Sequence, residues 1–132
     1  ICRYNVLLNG LSDRVVLRDV GLASAPSMAN VARSPEHNLG ATQLSHAAGG
    51  TLRLMRGDDA LADEAPALIK IDVEALELDV IEGIRGTLAR HKPAVFVEVD
   101  PHNRARFLEM LDGLDYAVAA ELANSNFVIL PR

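Results

Sequence analysis

The stretch LIKIDVEALELDVIEG, Leu68–Gly83, decides the fold. Its first six residues form a short apolar run interrupted by Lys70 and closed by Asp72 and Val73. Helix-like sequence follows at once and carries Glu77, Asp79 and Glu82. Val73, Leu76, Val80, Ile84 and Leu88 recur at spacings of three and four, which predicts a helix from Glu74 to Arg90 with one apolar face. A second unit repeats the pattern. AVFVEV, 94–99, predicts a strand, and Asn103–Leu114 predicts a helix whose buried stripe is Phe107, Met110, Leu111 and Leu114. Pro93 and Pro101 punctuate the two units, because proline lacks an N–H and disfavours helix in the residue before it.

Outward from this centre the signals weaken. YAVAAEL and NFVILP, joined by ANSN, predict a C-terminal antiparallel hairpin. TLRLMR, 51–56, alternates as a half-exposed strand does, and GDDALADEAP predicts a polar connection with one helical turn. RVVLRDVGL, 14–22, predicts a strand. Tyr4, Leu7, Leu8 and Leu11 predict a helix that Asn9-Gly10 ends. Residues 23–50 show little periodicity and predict a long surface loop. Strand, helix, strand, helix and hairpin together predict an α/β fold. Its sheet should be mostly parallel, with both faces of the apolar strands covered.

Composition bounds the function. With 132 residues the chain predicts a single domain, and 49% hydrophobic with 23% charged residues is an ordinary globular balance. No apolar run approaches the roughly 20 residues of a membrane span. A net charge of -5, no Trp and 4% aromatics argue against nucleic acid as a partner. Cys2 is the lone cysteine, and the opening ICRYNVLLNG lacks the features of an export signal, so a cytoplasmic location is expected. The four histidines show no metal-ligand spacing, and neither a nucleophile elbow nor a phosphate loop is present. Asp58-Asp59 reads as an exposed acidic turn before it reads as a cation site.

The two strand ends carry the chemistry. Asp72 and Glu98 each stand next to last in an apolar strand. If the strands are neighbours, about 4.8 Å apart, the two carboxylates meet at the rim where open α/β sheets bind ligands. A carboxylate inside a buried strand costs free energy unless paired. Lys70 shares the side-chain parity of Asp72, so a Lys70–Asp72 pair is the alternative reading. Glu74 and Glu77 read first as acids favouring the positive end of a helix.

IKIDVEALELDVIEG resembles the Lys-Ile-Asp-Val-Glu-Gly signature of FkbM-type methyltransferases. YNVLLNGLSDRVVL, with Asn5 and Asn9, is similar to that family's helix and third strand. EHNLGATQL resembles its Asn-x-Gly segment, GDDAL its Leu-Asp-Asp-Leu segment with Asp58 as the matching acid, and KPAVFVEV its fifth strand. The resemblance implies a Rossmann-like class I fold that binds S-adenosylmethionine and transfers its methyl group, usually to an oxygen of a sugar or other small metabolite. It implies that Asp72 lies at the methyl-donor pocket and that Asp19 and Val20 lie near the adenine. Glu98 and His102 would line the acceptor side, with His102 a candidate general base.

Ala75 departs from the pattern, standing where the family usually has glycine, a residue suited to close approach or positive φ. The resemblance covers the last two-thirds of such a domain. Its first strand, glycine-rich cofactor loop and second strand would precede Ile1, and the chain opens without an initiator Met. In the implied strand order 3-2-1-4-5-7-6, LIKIDV then becomes an edge. The expectation is a fragment that binds the cofactor weakly by itself and can form a homo-oligomer through that edge. The alternative function is a truncated, non-catalytic remnant of such a domain.

Overall fold

The structure is a computed structural model and describes residues 1–38 and 41–132. Leu39 and Gly40, within the EHNLGATQL segment, lie outside the described residues.

Helix α1 (Cys2–Leu8) opens the chain, and Gly10 leaves it with φ of +60°. Four short strands follow: β1 (Gly21–Ala23), β2 (Ser27–Arg33), β3 (Gln43–His46) and β4 (Leu52–Arg56). After helix α2 (Gly57–Ala60) come β5 (Leu68–Ile71), α3 (Glu77–Gly83), α4 (Arg85–His91) and β6 (Ala94–Glu98). A 3-10 turn at Pro101–Asn103 leads into α5 (Arg104–Asp112), and β7 (Tyr116–Leu122) and β8 (Asn126–Pro131) close the chain.

The strands form two mixed sheets. The first runs β1-β4-β2-β3, with β1 and β4 parallel and the other pairs antiparallel. The second runs β5-β6-β8-β7, with β5 and β6 parallel, β8 antiparallel to β6, and β7–β8 an antiparallel hairpin. The architecture is α/β, and the expectation of a mostly parallel sheet is corrected: each sheet holds one parallel pair and two antiparallel ones.

The main core lies on one face of the second sheet. Registers pair Ile69 with Val95, Ile71 with Val97, and both Val95 with Ile129 and Val97 with Phe127. These residues share a face by the two-residue period of a strand. Apart from the half-buried Ile69, they are buried together with Val80, Ile81, Ile84 and Leu88 from the α3–α4 region and Phe107 and Leu111 from α5. Phe107 and Phe127 meet at 5.1 Å between ring centroids. The opposite face carries Leu68, Phe96, Val128 and Leu130; Leu68 is 66% exposed and Leu130 is 42% exposed. Burial is therefore one-sided, where the continuous apolar strands suggested cover on both faces.

Three further expectations change. RVVLRDV is not a strand: Val16 is exposed, and Arg18 and Asp19 reach into solvent to pair with Glu64 and Arg3. Only Gly21–Ala23 reaches β4, and a strand exists only where a neighbour completes its ladder. The long loop is in fact β2 and β3, whose polar residues conceal them; Ala23, Ala29 and Leu54 form a small core there.

The third change is in the helix predicted over 74–90, which begins at Glu77 and is broken at Ile84. Asp58 causes the break. Its carboxylate accepts the Gly86 N–H at 3.0 Å, the Thr87 N–H at 2.7 Å and the Thr87 hydroxyl at 2.9 Å. Those amides thus open a new helix. Gly83 is required at the same point, since a Cβ there would stand 2.0 Å from the Ala23 carbonyl oxygen.

Candidate functional site

The end of β5 and the end of β6 lie side by side. Ile71 is opposite Val97, so the next pair along the ladder is Asp72 beside Glu98. Both side chains line a cleft of about 280 Å³. Its other walls are the β5–α3 connection Val73–Ala75, Glu77, the Val99–Pro101 segment, and Asn124 and Ser125 at the tip of the hairpin. Asp72, Glu74, Glu77, Glu98 and Asp100 make five carboxylates, and none of the lining residues is basic.

Backbone geometry shapes this cleft. Ala75 has φ of +67°, so the chain turns there through the left-handed region. The Leu76 N–H bond to the Val73 carbonyl at 2.8 Å closes that turn. Asn124 and Ser125 also have positive φ, 59° and 57°, as a tight hairpin turn between right-twisted strands requires. The Ser125 carbonyl accepts the Val99 N–H at 3.0 Å, which ties the hairpin tip to the end of β6.

Glu77 is the residue that sequence reasoning missed. It is 1% exposed, and its Oε1 accepts the Asp100 N–H at 2.9 Å and the Asn103 side-chain amide at 2.8 Å. A buried carboxylate is tolerable when hydrogen-bonded in this way. Its period on the helix places it beside Val80 and Ile81 on the buried face, and that was the available signal.

Asp100 carries a second signal, an Asx residue before Pro at the start of a helical turn. Its Oδ1 accepts the His102 N–H at 2.8 Å and lies 2.9 Å from His102 Nδ1. The His102 amide first, and then its ring, hold the Asp100 carboxyl below the usual carboxylate range.

Asp72 is paired as well as exposed to the cleft, for Lys70 Nζ donates to its Oδ2. The Lys70–Asp72 pair of the alternative reading is present, and Asp72 also lines the cleft. Glu98 is exposed on the rim. His102 stands just outside the lining residues, with its side chain 96% exposed. Asp19 and Val20 are not among the lining residues, and Asp19 pairs with Arg3 at 2.7 Å near α1. Asp58 leaves the set of candidate acids in a different sense, since its carboxylate is spent on the start of α4. Burial would raise its pKa, but the Thr87 and Gly86 amides, the Thr87 hydroxyl and Arg56 together hold it below the usual range. Among the described residues no three His, Cys, Asp or Glu side chains converge to hold a metal ion. No helix among them is long and apolar enough to cross a membrane.

Compared with known families, residues 26–122 match the methyltransferase FkbM domain, well over half of the chain. The chain belongs to the FkbM methyltransferase domain family. The matched span runs from just before β2 through β7 and contains Asp72, Glu77, Glu98 and Asp100. Membership supports a methyltransferase. No curated protein and no solved structure matches the chain. Within the FkbM domain, then, the acidic cleft at the ends of β5 and β6 is the feature that chemistry must explain.

Proposed function

We propose that this FkbM domain is an S-adenosylmethionine-dependent methyltransferase that methylates an oxygen of a sugar or other small metabolite, with Asp72 at the donor and Glu98 at the acceptor. The observation that carries this reading is the cleft itself. Five carboxylates without a basic lining residue make a region of negative potential, and such a region concentrates a cationic ligand. The sulfonium and ammonium groups of S-adenosylmethionine fit that donor set. When bound, the cofactor supplies an electrophilic methyl carbon and a neutral thioether leaving group. The order β5-β6-β8-β7 supports the Rossmann-like reading, since it corresponds to the 4-5-7-6 portion of the order that class I methyltransferases use.

The chain's own groups have distinct tasks. Asp72, held by Lys70, offers a fixed negative charge beside the β5 end. Glu77 holds the Asp100 segment against α3, so the cleft wall is part of the core. An acceptor hydroxyl must lose its proton as the new bond forms. His102 suits that task, because Nδ1 can donate to Asp100 while Nε2 stays free of partners among the described residues. The ring is exposed and follows Pro101, a lining residue of the cleft, so a proton can leave it to solvent.

The test compares donor and product. In the full-length protein, Asp72→Asn should weaken S-adenosylmethionine binding by about tenfold, since one lost charge contact is worth about 1.4 kcal/mol. Binding of the uncharged-sulfur product should fall less. Equal loss for both ligands, or no loss for either, would remove Asp72 from the donor site and leave the Lys70 pair as its whole role.

A further inference from the structure

Away from the acidic cleft, β2, β3 and α3 bring three side chains into one line of hydrogen bonds. Ser27 Oγ lies 3.2 Å from His46 Nδ1, and His46 Nε2 lies 3.0 Å from Asp79 Oδ2. The other Asp79 oxygen accepts the Ser24 N–H at 3.2 Å. Hydroxyl, imidazole and carboxylate thus stand in the order that activates a serine. We propose that Ser27 is a base-activated nucleophile that accepts an acyl group from small esters, an activity separate from methyl transfer.

The tautomer follows from the partners. Asp79 accepts a hydrogen bond, so the imidazole proton sits on Nε2 and the Nδ1 lone pair faces the Ser27 hydroxyl. Asp79 is fixed from two sides and is 24% exposed, so it positions the ring without touching a substrate. Ser27 has one competing acceptor, the Ala25 carbonyl, at the longer distance of 3.4 Å. The three residues come from separate parts of the chain, with His46 33 positions before Asp79. Local sequence alone does not explain their meeting.

The surroundings define the substrate class. Ser27 and His46 open on a cavity of about 370 Å³ whose other walls are Met28, Ala47 and Ala48. Met28, Ala47 and Ala48 make an apolar lining that is open to solvent, which suits a small uncharged ester. The Ala48 N–H takes no hydrogen bond among the described residues, so a donor remains for a carbonyl oxygen at this rim. In the first step Ser27 Oγ forms a bond to the ester carbon, and its proton passes to His46 Nδ1. The ester C–O bond then breaks, and His46 gives that proton to the departing alkoxide as an alcohol. In the second step water, deprotonated by His46, attacks the acyl–serine, releasing the carboxylic acid and restoring Ser27. Water is the only co-reactant and nothing is oxidised or reduced.

The experiment treats the protein with a fluorophosphonate probe and with p-nitrophenyl acetate. Peptide mass spectrometry should find the phosphonyl adduct on Ser27, at a rate well above that at the exposed Ser12 and Ser45. Ser27→Ala should abolish it while leaving the fold unchanged by circular dichroism. His46→Gln should slow both labelling and ester hydrolysis by about a hundredfold. Asp79→Asn should lower kcat for the ester while KM stays constant, a split that loss of packing would not produce. Labelling of Ser27 no faster than that of Ser12 or Ser45 overturns the proposal, and this comparison needs only the unmutated protein. Hydrolysis that survives in a folded His46→Gln variant overturns it as well.

Discussion

Ala75 is the residue where sequence and structure meet most directly. An L-residue in the left-handed region costs about 1–2 kcal/mol, while glycine's extra freedom in the unfolded chain costs about 0.4–1 kcal/mol. The first term is larger, so Ala75→Gly should raise stability by up to about 1 kcal/mol, visible as a higher midpoint in urea. A lower midpoint would show that the Ala75 methyl contributes packing its exposure does not suggest. The resemblance to the FkbM signature already singled out this position, because alanine stands where the family usually has glycine, whose conformational freedom fits the φ of +67°. Asp72 and Glu98 were equally legible, since charged residues closing apolar runs have few structural explanations. Glu77 was hard to read: its helical period beside Val80 and Ile81 was the one signal, an acid in a first helical turn has an ordinary role there, and only the fold shows that the Asp100 segment crosses over it.

The break between α3 and α4 depends on an acid supplied by a different element. Asp58 closes two amides and a hydroxyl at the start of α4, a cap worth about 1–2 kcal/mol. Its folded pKa is depressed, so the sign is fixed. The contribution is complete above the ordinary value of 3.8 and is lost as pH falls through the lower folded value. Asp58→Asn keeps an acceptor but has no titration. Its stability should be somewhat lower at pH 7 and should decline less steeply below pH 4 in acid unfolding. Parallel acid limbs for the two proteins would refute this account. Such a cap cannot be read from a helical repeat, because the apolar spacing runs unbroken through Ile84. β2 and β3 were hidden for a related reason: their sequences, SMANVAR and QLSH, mix polar and apolar residues without a clear period, and only the pairing of β2 with β4 and of β3 with β2 makes them strands.

At the scale of the molecule, β5 pairs with β6 on one side and with no strand on the other among the described residues. The strand order implied by the family resemblance led to this open edge, although the strand's own apolar sequence suits a central position, and β1 does not move across to fill it. We propose that a second copy can. Antiparallel pairing centred on Ile71 sets Lys70 opposite Asp72 of the second copy, and opposite charges across a ladder attract. Light scattering after size exclusion should give a mass above that of a monomer, and Leu68→Lys should return it to one chain. A monomer at every concentration would exclude edge pairing. The strand–helix order around the site and the C-terminal hairpin were readable from periodicity and proline placement. The other antiparallel pairs, β2 with β3 and β4 and β6 with β8, were not readable, because short strands without a crossover helix have no direction in sequence.

The bond from the Val99 amide to the Ser125 carbonyl has a consequence for hydrogen exchange. The Val99 and Asp100 amides, one held by the hairpin tip and one by buried Glu77, should exchange with deuterium only when the core opens. The Ala75 amide has no hydrogen bond among the described residues and should exchange rapidly. One wall of the cleft therefore reports global opening while the facing turn reports only its own motion. A ligand that seats in the cleft should slow exchange at Ala75 far more than at Val99, separating occupancy from a general gain in stability.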